Sequence, residues 1–209
     1  MAKGRPRSFD MDEALDQALH LFWTKGYEGT SLSDLTQAMG ISPPSLYAAF
    51  GNKEELFRRA LDRYMQETID FDGIMSAPTA REVAERMLHI STQMDPERPA
   101  GCLLVQAALS CSEASDSVRK ELIARRKAGE DALRTRFERA VREGDLPATA
   151  DPALLAGYLT VTAEGMAVHA ASGASPETLR GIANAALQAW SVLIAGDKSS
   201  ASLPGEAAD

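Results

Sequence analysis

Few residues in this 209-residue chain could do covalent or metal chemistry. Three histidines, His20, His89 and His169, are scattered without metal-ligand spacing. Two cysteines, Cys102 and Cys111, are too few for a disulfide framework. If both lie on one helix they point to opposite faces about 13 Å apart, beyond the ~7 Å that bridged Cα atoms allow. An intrahelical bridge is therefore excluded. Both read as small buried hydrophobes; for Cys102, directly after Gly101, a sensor thiol or a metal ligand is the alternative. There is no nucleophile–base set and no glycine-rich phosphate loop, so neither enzyme chemistry nor a cofactor nor a metal site is expected.

The chemistry that does stand out is the binding of anions. Residues 42–56 read SPPSLYAAFGNKEEL. Proline breaks a helix interior but is harmless in its first turn, where no intrahelical N–H bond is lost. Ser42 caps a short helix that starts at Pro43 and Pro44 and ends near Phe50. Leu46, Ala49 and Phe50 point inward, leaving Pro44, Ser45, Tyr47 and Ala48 outside. Helix N-termini and hydroxyls hold phosphates. Thr30 and Ser31 open the preceding helix, and Lys53 opens the following one. A small basic arm, Lys3, Arg5 and Arg7, precedes them all; it reads either as a minor-groove or phosphate contact, as such arms can make, or as a disordered solubilising tail.

Capping signals place these residues on an all-α chain of about nine helices, with no convincing strand. The expected helices cover about 9–25, 31–39, 43–50, 52–71, 79–94, 102–111 and 117–143, with two more opened by Asp151-Pro152 and Ser175-Pro176. Helix, short glycine turn, helix across Gly40-Ile41 is the helix-turn-helix pattern, whose second helix meets the major groove. Residues 73–78 read as a linker. That divides the chain into a DNA-binding unit with its arm (1–72), a helical bundle (73–196) and a small polar tail (197–209) expected to be disordered.

Hydrophobic residues make up 44% and charged residues 25%, an ordinary globular balance. A net charge of −8 argues against a wholly basic surface but leaves room for a local basic patch. No apolar run approaches the ~20 residues needed to cross a bilayer, and the basic start is followed by no apolar stretch, so neither membrane span nor signal peptide is expected. A reducing cytoplasm is the expected compartment.

Residues 9–64, with their GY-x-x-T-S, ISPPSLYAAF and NKEEL segments, resemble the N-terminal DNA-binding domain of the TetR family of bacterial one-component transcriptional regulators. The resemblance covers about residues 5–65. GRPRSFD and the PAGC before the sixth helix are similar to a branch that includes copper-responsive repressors of outer-membrane genes. The resemblance implies a homodimer joined through its last two helices, sitting on a palindromic operator whose half-sites lie about one turn, ~34–36 Å, apart. It also implies a small-molecule effector in the bundle that shifts the fourth helix and spreads the recognition helices.

The DNA-contacting residues so expected are Arg5, Arg7, Thr30, Ser31, Ser42, Pro43, Pro44, Ser45, Tyr47 and Lys53. Tyr47 is open between a core aromatic and a phosphate contact, and its family position favours the phosphate. The expected effector pocket draws on Met87, Met94, Cys102, Phe137, Thr162 and Met166. The expected dimer interface draws on Tyr158, Met166, His169, Ile182, Ala186, Trp190 and Leu193, which fall at helical spacing on the last two helices. The charged run 119–127 reads as a solvated helix face. Two other classes compete with a ligand-released repressor: a protein–protein module with a degenerate helix-turn-helix, and a helical enzyme.

Overall fold

The computed structural model describes residues 9–90, 92–93, 98–110 and 115–195. Cys111 and the expected tail, 197–209, lie outside them. Among the described residues are ten helices and no strand. Asp10 caps α1 (Met11–Lys25), its carboxylate accepting from the Asp12 and Glu13 N–H groups. Ser31 and Asp34 form a full capping box on α2 (Leu32–Ala38), and Asn52 with Glu55 forms another on α4 (Lys53–Thr68). Between them α3 runs Pro43–Phe50, with Ser42 as its cap. Phe22 meets Phe57 edge-on at 5.0 Å, and Trp23 meets Tyr64 at 4.8 Å, so aromatic pairs lock α1 to α4. Such pairs contribute about 0.5–1.5 kcal/mol each beyond their buried area.

The stretch expected to be a linker is instead packed chain. It holds α5 (Phe71–Met75), whose Ile74 is buried, and Ala77 is buried after it. The cause is Arg136, itself buried, which donates to the carbonyls of Met75, Ala77 and Pro78. Asp145 then accepts from the Ala80 N–H at the start of α6 (Ala80–Ile90). Arg136 and Asp145 so staple the segment to the long helix and its C-terminal turn.

The next elements are α7 (Leu103–Ser110) and α8 (Asp116–Glu143). Twenty-eight residues make α8 about 42 Å long. It joins two cores. Val118 and Leu122 pack with α1–α4 and α7, while Leu133, Phe137 and Ala140 pack with α6, α9 (Pro152–Ala171) and α10 (Pro176–Ala195). Between Leu122 and Leu133 no α8 residue is fully buried. No helix among the described residues is long and apolar enough to cross a membrane.

Candidate nucleic-acid interface and ligand cavity

The start of α3 is built by hydroxyls. Ser42 accepts from the Ser45 N–H at 3.3 Å, and the two hydroxyls lie 2.9 Å apart. Leu46 and Phe50 anchor the inner side of α3 in the core, with Phe9 against the Phe50 ring at 6.4 Å. That leaves Ser42, Pro43, Pro44 and Ala48 exposed and Ser45 half-buried on one outer face. Tyr47 is 52% exposed, which removes the core-aromatic reading.

The flanking elements hold the other expected residues. Ser31 is exposed, with its hydroxyl 2.8 Å from the Asp34 carboxylate. Hydrogen bonds from the Ser31 backbone and hydroxyl, and from Lys25, hold Asp34 below its ordinary pKa. Lys53 holds its ammonium 4.2 Å from the centroid of the Tyr27 ring. Thr30 is a correction: it is fully buried and its hydroxyl donates to the Gly26 carbonyl, so its side chain serves the turn between α1 and α2. Arg5 and Arg7 lie outside the described residues. From residue 31 to residue 52 Asp34 is the one charged side chain, so the α2–α3 face is close to neutral. Tyr27, the aromatic of the GY-x-x-T-S segment, and Phe9, just before the Asp10 cap, orient Lys53 and the end of α3, roles that the sequence pattern does not assign them.

A cavity of about 1130 Å³ opens where α8 has no buried residue, between α4, α7, α8 and α9. Its walls are largely apolar, with Met65, Ile69, Leu104 and Ala163 among them. Met87 and Cys102 do line it, as expected. Gly101, at φ +88°, lets the chain approach α9 closely there: a Cβ would sit 2.8 Å from the Ala167 carbonyl. Burial, with Cys102 beside it, pushes the Tyr64 hydroxyl above its ordinary pKa. Trp23 Nε1 and Thr160 Oγ1, on two cavity-lining residues, are buried with no hydrogen-bond partner among the described residues.

Three of the other expected pocket residues lie elsewhere. Phe137 is packed against Trp190 at 5.2 Å and Met166 is buried in the second core. Thr162 turns its hydroxyl back to the Tyr158 carbonyl and is not in the wall. Met94 lies outside the described residues. The helical period identifies an inward face but not whether a core or a cavity lies there.

The charged run on α8 is also corrected. Arg119, Lys120 and Lys127 are exposed, but Arg125 and Arg126 line the cavity. Arg126 forms a two-pronged pair with Glu164 of α9, which raises its pKa. Arg125 reaches the other way, to Asp62 of α4 at 2.7 Å. No group of three or more His, Cys, Asp or Glu residues able to hold a metal occurs among the described residues.

Of the expected dimer contacts, Met166, Ala186 and Trp190 are buried within the protomer's own core. Trp190 fills the space between α10 and α8. Tyr158 donates to the Ala186 carbonyl; Ile182 and Leu193 are half-buried and His169 is exposed. The apolar surface left outside is different: Leu154, Val161 and Val168, seven residues apart along α9, with Val192 on α10.

Comparison with known proteins gives two family models. Residues 14–60 match the bacterial regulatory proteins of the tetR family, and residues 78–187 match the tetracyclin repressor-like C-terminal domain. The chain is 35% identical over 204 residues to the HTH-type transcriptional repressor ComR of Escherichia coli K12, covering 92% of this chain and 94% of the relative. Over 62 residues it is 48% identical to the repressor BdcR of the same organism, covering 30% of this chain and 32% of that one. A structure of the TetR family regulator CifR, a cysteine mutant complexed with 26-base-pair operator DNA, superposes with a TM-score of 0.84 at 42% identity. It covers 89% of this chain and 100% of that one.

Proposed function

The chain belongs to the TetR family and is a DNA-binding transcriptional regulator, and from that premise we propose that it represses as a homodimer, released when a small molecule fills the cavity. The observation that carries the reading is the placement of α4. Its first residue, Lys53, follows the end of α3 by three residues and rests on the Tyr27 ring, and its last turns wall the cavity. One rigid helix, about 24 Å long, thus touches both candidate sites.

On DNA, α3 would enter the major groove by its proline end. Ser42, Ser45, Tyr47 and Lys53 would contact phosphates or base edges, and Ser31 would add a hydroxyl from α2. The backbone at Pro43 and Pro44 offers no N–H, so discrimination there rests on close approach and DNA shape. The neutral α2–α3 face avoids repelling phosphate, and the Lys3–Arg7 arm would supply attraction from the minor groove. The operator complexes of CifR, a relative of 42% identity, support the docking of this unit on duplex DNA.

The exposed stripe of Leu154, Val161, Val168 and Val192 supports a second copy as partner across α9 and α10. The effector that suits the cavity is a mainly apolar molecule, because Arg125 and Arg126 are already neutralised by carboxylates.

The test is a mobility shift with the intergenic DNA beside its own gene, with sedimentation to count the copies. A salt-sensitive shift by a dimer is expected. Absence of any shift at low salt would overturn the reading.

A further inference from the structure

The cavity wall and α4 are joined by charge. Arg125 of α8 lies in that wall with its side chain 22% exposed. One nitrogen of its guanidinium sits 2.7 Å from Asp62 and also donates to the Met65 sulfur at 3.4 Å; both partners are on α4. Another donates to Glu121 at 2.8 Å. The second oxygen of Glu121 accepts from Arg58 of α4 at 2.5 Å, and Arg58 reaches Glu54 at 2.6 Å. Arg58 and Asp62 stand one turn apart on α4, facing Glu121 and Arg125 one turn apart on α8. The four charges alternate in sign, so moving either helix breaks two opposite-charge contacts together.

Gly129 stands one turn beyond Arg125 on the same face of α8 and also lines the cavity. A Cβ built there meets nothing within 4 Å. A glycine in a helix interior costs about 1 kcal/mol relative to alanine. Here it leaves room beside Arg125.

We propose that Arg125 is the positioning residue through which filling of the cavity at Gly129 releases α4, by sterically displacing its guanidinium from Asp62. The inference rests on the reading that cavity occupancy controls DNA binding. A molecule lodged over Gly129 occupies the space next to the Arg125 side chain. The neighbouring Arg126 stays fixed to Glu164 of α9, so α8 keeps its hold on the bundle while α4 loses one of its two ion pairs with α8 and is left on the Arg58–Glu121 pair alone. The α4 helix then swings with Lys53 and α3 at its far end.

A side chain can stand in for the ligand. Gly129→Phe fills the cavity from within, and Gly129→Leu is a smaller variant should the first not fold. Asp62→Asn cuts the relay outside the cavity, at a residue whose side chain is 58% exposed. The readouts are affinity for the intergenic fragment beside its own gene and amide exchange across residues 53–68. Gly129→Phe is expected to weaken DNA binding at least tenfold and to speed exchange in α4. In Asp62→Asn the same filling should change affinity less than threefold. An equal loss in both backgrounds would overturn the Arg125 relay while leaving cavity control standing. No loss in either, from a folded Gly129→Phe or Gly129→Leu variant, would overturn cavity control and the relay with it.

Discussion

The ammonium of Lys53 lies 4.2 Å from the centre of the Tyr27 ring, joining the first residue of α4 to the turn after α1. Tyr27 is itself held by Phe57 at 5.0 Å and Phe22 at 6.2 Å. The lysine is thereby aimed by the aromatic core rather than by its own flexible stem. Lys53→Gln should lower operator affinity and reduce the slope of log affinity against log salt by about 1, the signature of one lost phosphate contact. Tyr27→Leu should weaken binding with Lys53 still present, because the ring no longer holds the ammonium in place. Titrations at several salt concentrations check both; an unchanged slope in Lys53→Gln would remove Lys53 from the interface.

The arm is a matter of charge balance. Residues 9–68 carry five Lys or Arg and ten Asp or Glu, a difference of −5. Attraction to the polyanion must therefore come from few cations in the right place. Deleting residues 1–8, with Lys3, Arg5 and Arg7, should flatten the salt slope by up to about 2.7, at ~0.9 for each phosphate neutralised. A deletion that leaves the slope intact would show that these cations do not touch DNA.

Tyr47 separates binding from folding. At 52% exposure its ring contributes little to the core, and a surface substitution of this kind usually changes stability by no more than about 0.5 kcal/mol. Tyr47→Ala is expected to lose operator binding while melting within a few degrees of the parent. Tyr47→Phe isolates the hydroxyl, and a phosphate contact requires it to weaken binding as well.

How much of this was legible in the sequence follows from the kind of signal. Caps are local, so the Ser42-Pro43 start and the Asn52–Glu55 box appear in the structure where their residue types put them. Thr30 carries the same residue type as an exposed cap, yet it is buried, because the turn from Gly26 decides which way it points. Trp190, Met166 and Ala186 lie on helices that are apolar on more than one side, and only packing tells core from surface. The α5 helix is short and weakly patterned, and its support, Arg136, comes from about 60 residues away. Arg125 and Arg126 look in sequence like two members of a solvated run, since ion-pair partners on α4 and α9 leave no local trace.

The α4–α8 contact should respond to acid. Burial raises the Glu121 carboxyl, but hydrogen bonds and charge from Arg125 and Arg58 outweigh it and leave the group below its ordinary 4.5. A carboxylate whose folded value is depressed stabilises the fold above its unfolded value, and that contribution is lost as pH falls through the folded one. The link is therefore complete at neutral pH and begins to fail below about 4.5. Melting temperature followed from pH 7 downward should fall more steeply in the parent than in Glu121→Gln, which has no such proton to take up. Identical profiles would mean that Glu121 contributes nothing to the coupling of the two helices.

Val161 and Trp190 predict opposite consequences on neighbouring helices. Val161 is 69% exposed on α9, in line with Leu154 and Val168. A glutamate there has water to face in a lone protomer and an apolar partner to face in a dimer. Val161→Glu should hence leave the fold intact and shift sedimentation toward monomer, with operator affinity falling because two half-sites are no longer held together. Trp190 is fully buried against Phe137 and lies inside a single protomer. Trp190→Ala removes that packing, at a cost of about 3–5 kcal/mol by analogy with other large-to-small core changes. Its effect should appear as a lowered melting temperature at every protein concentration, whereas the effect of Val161→Glu should appear in the concentration dependence. A Val161→Glu protein that remains dimeric at micromolar concentration would place the partner on another face of the bundle.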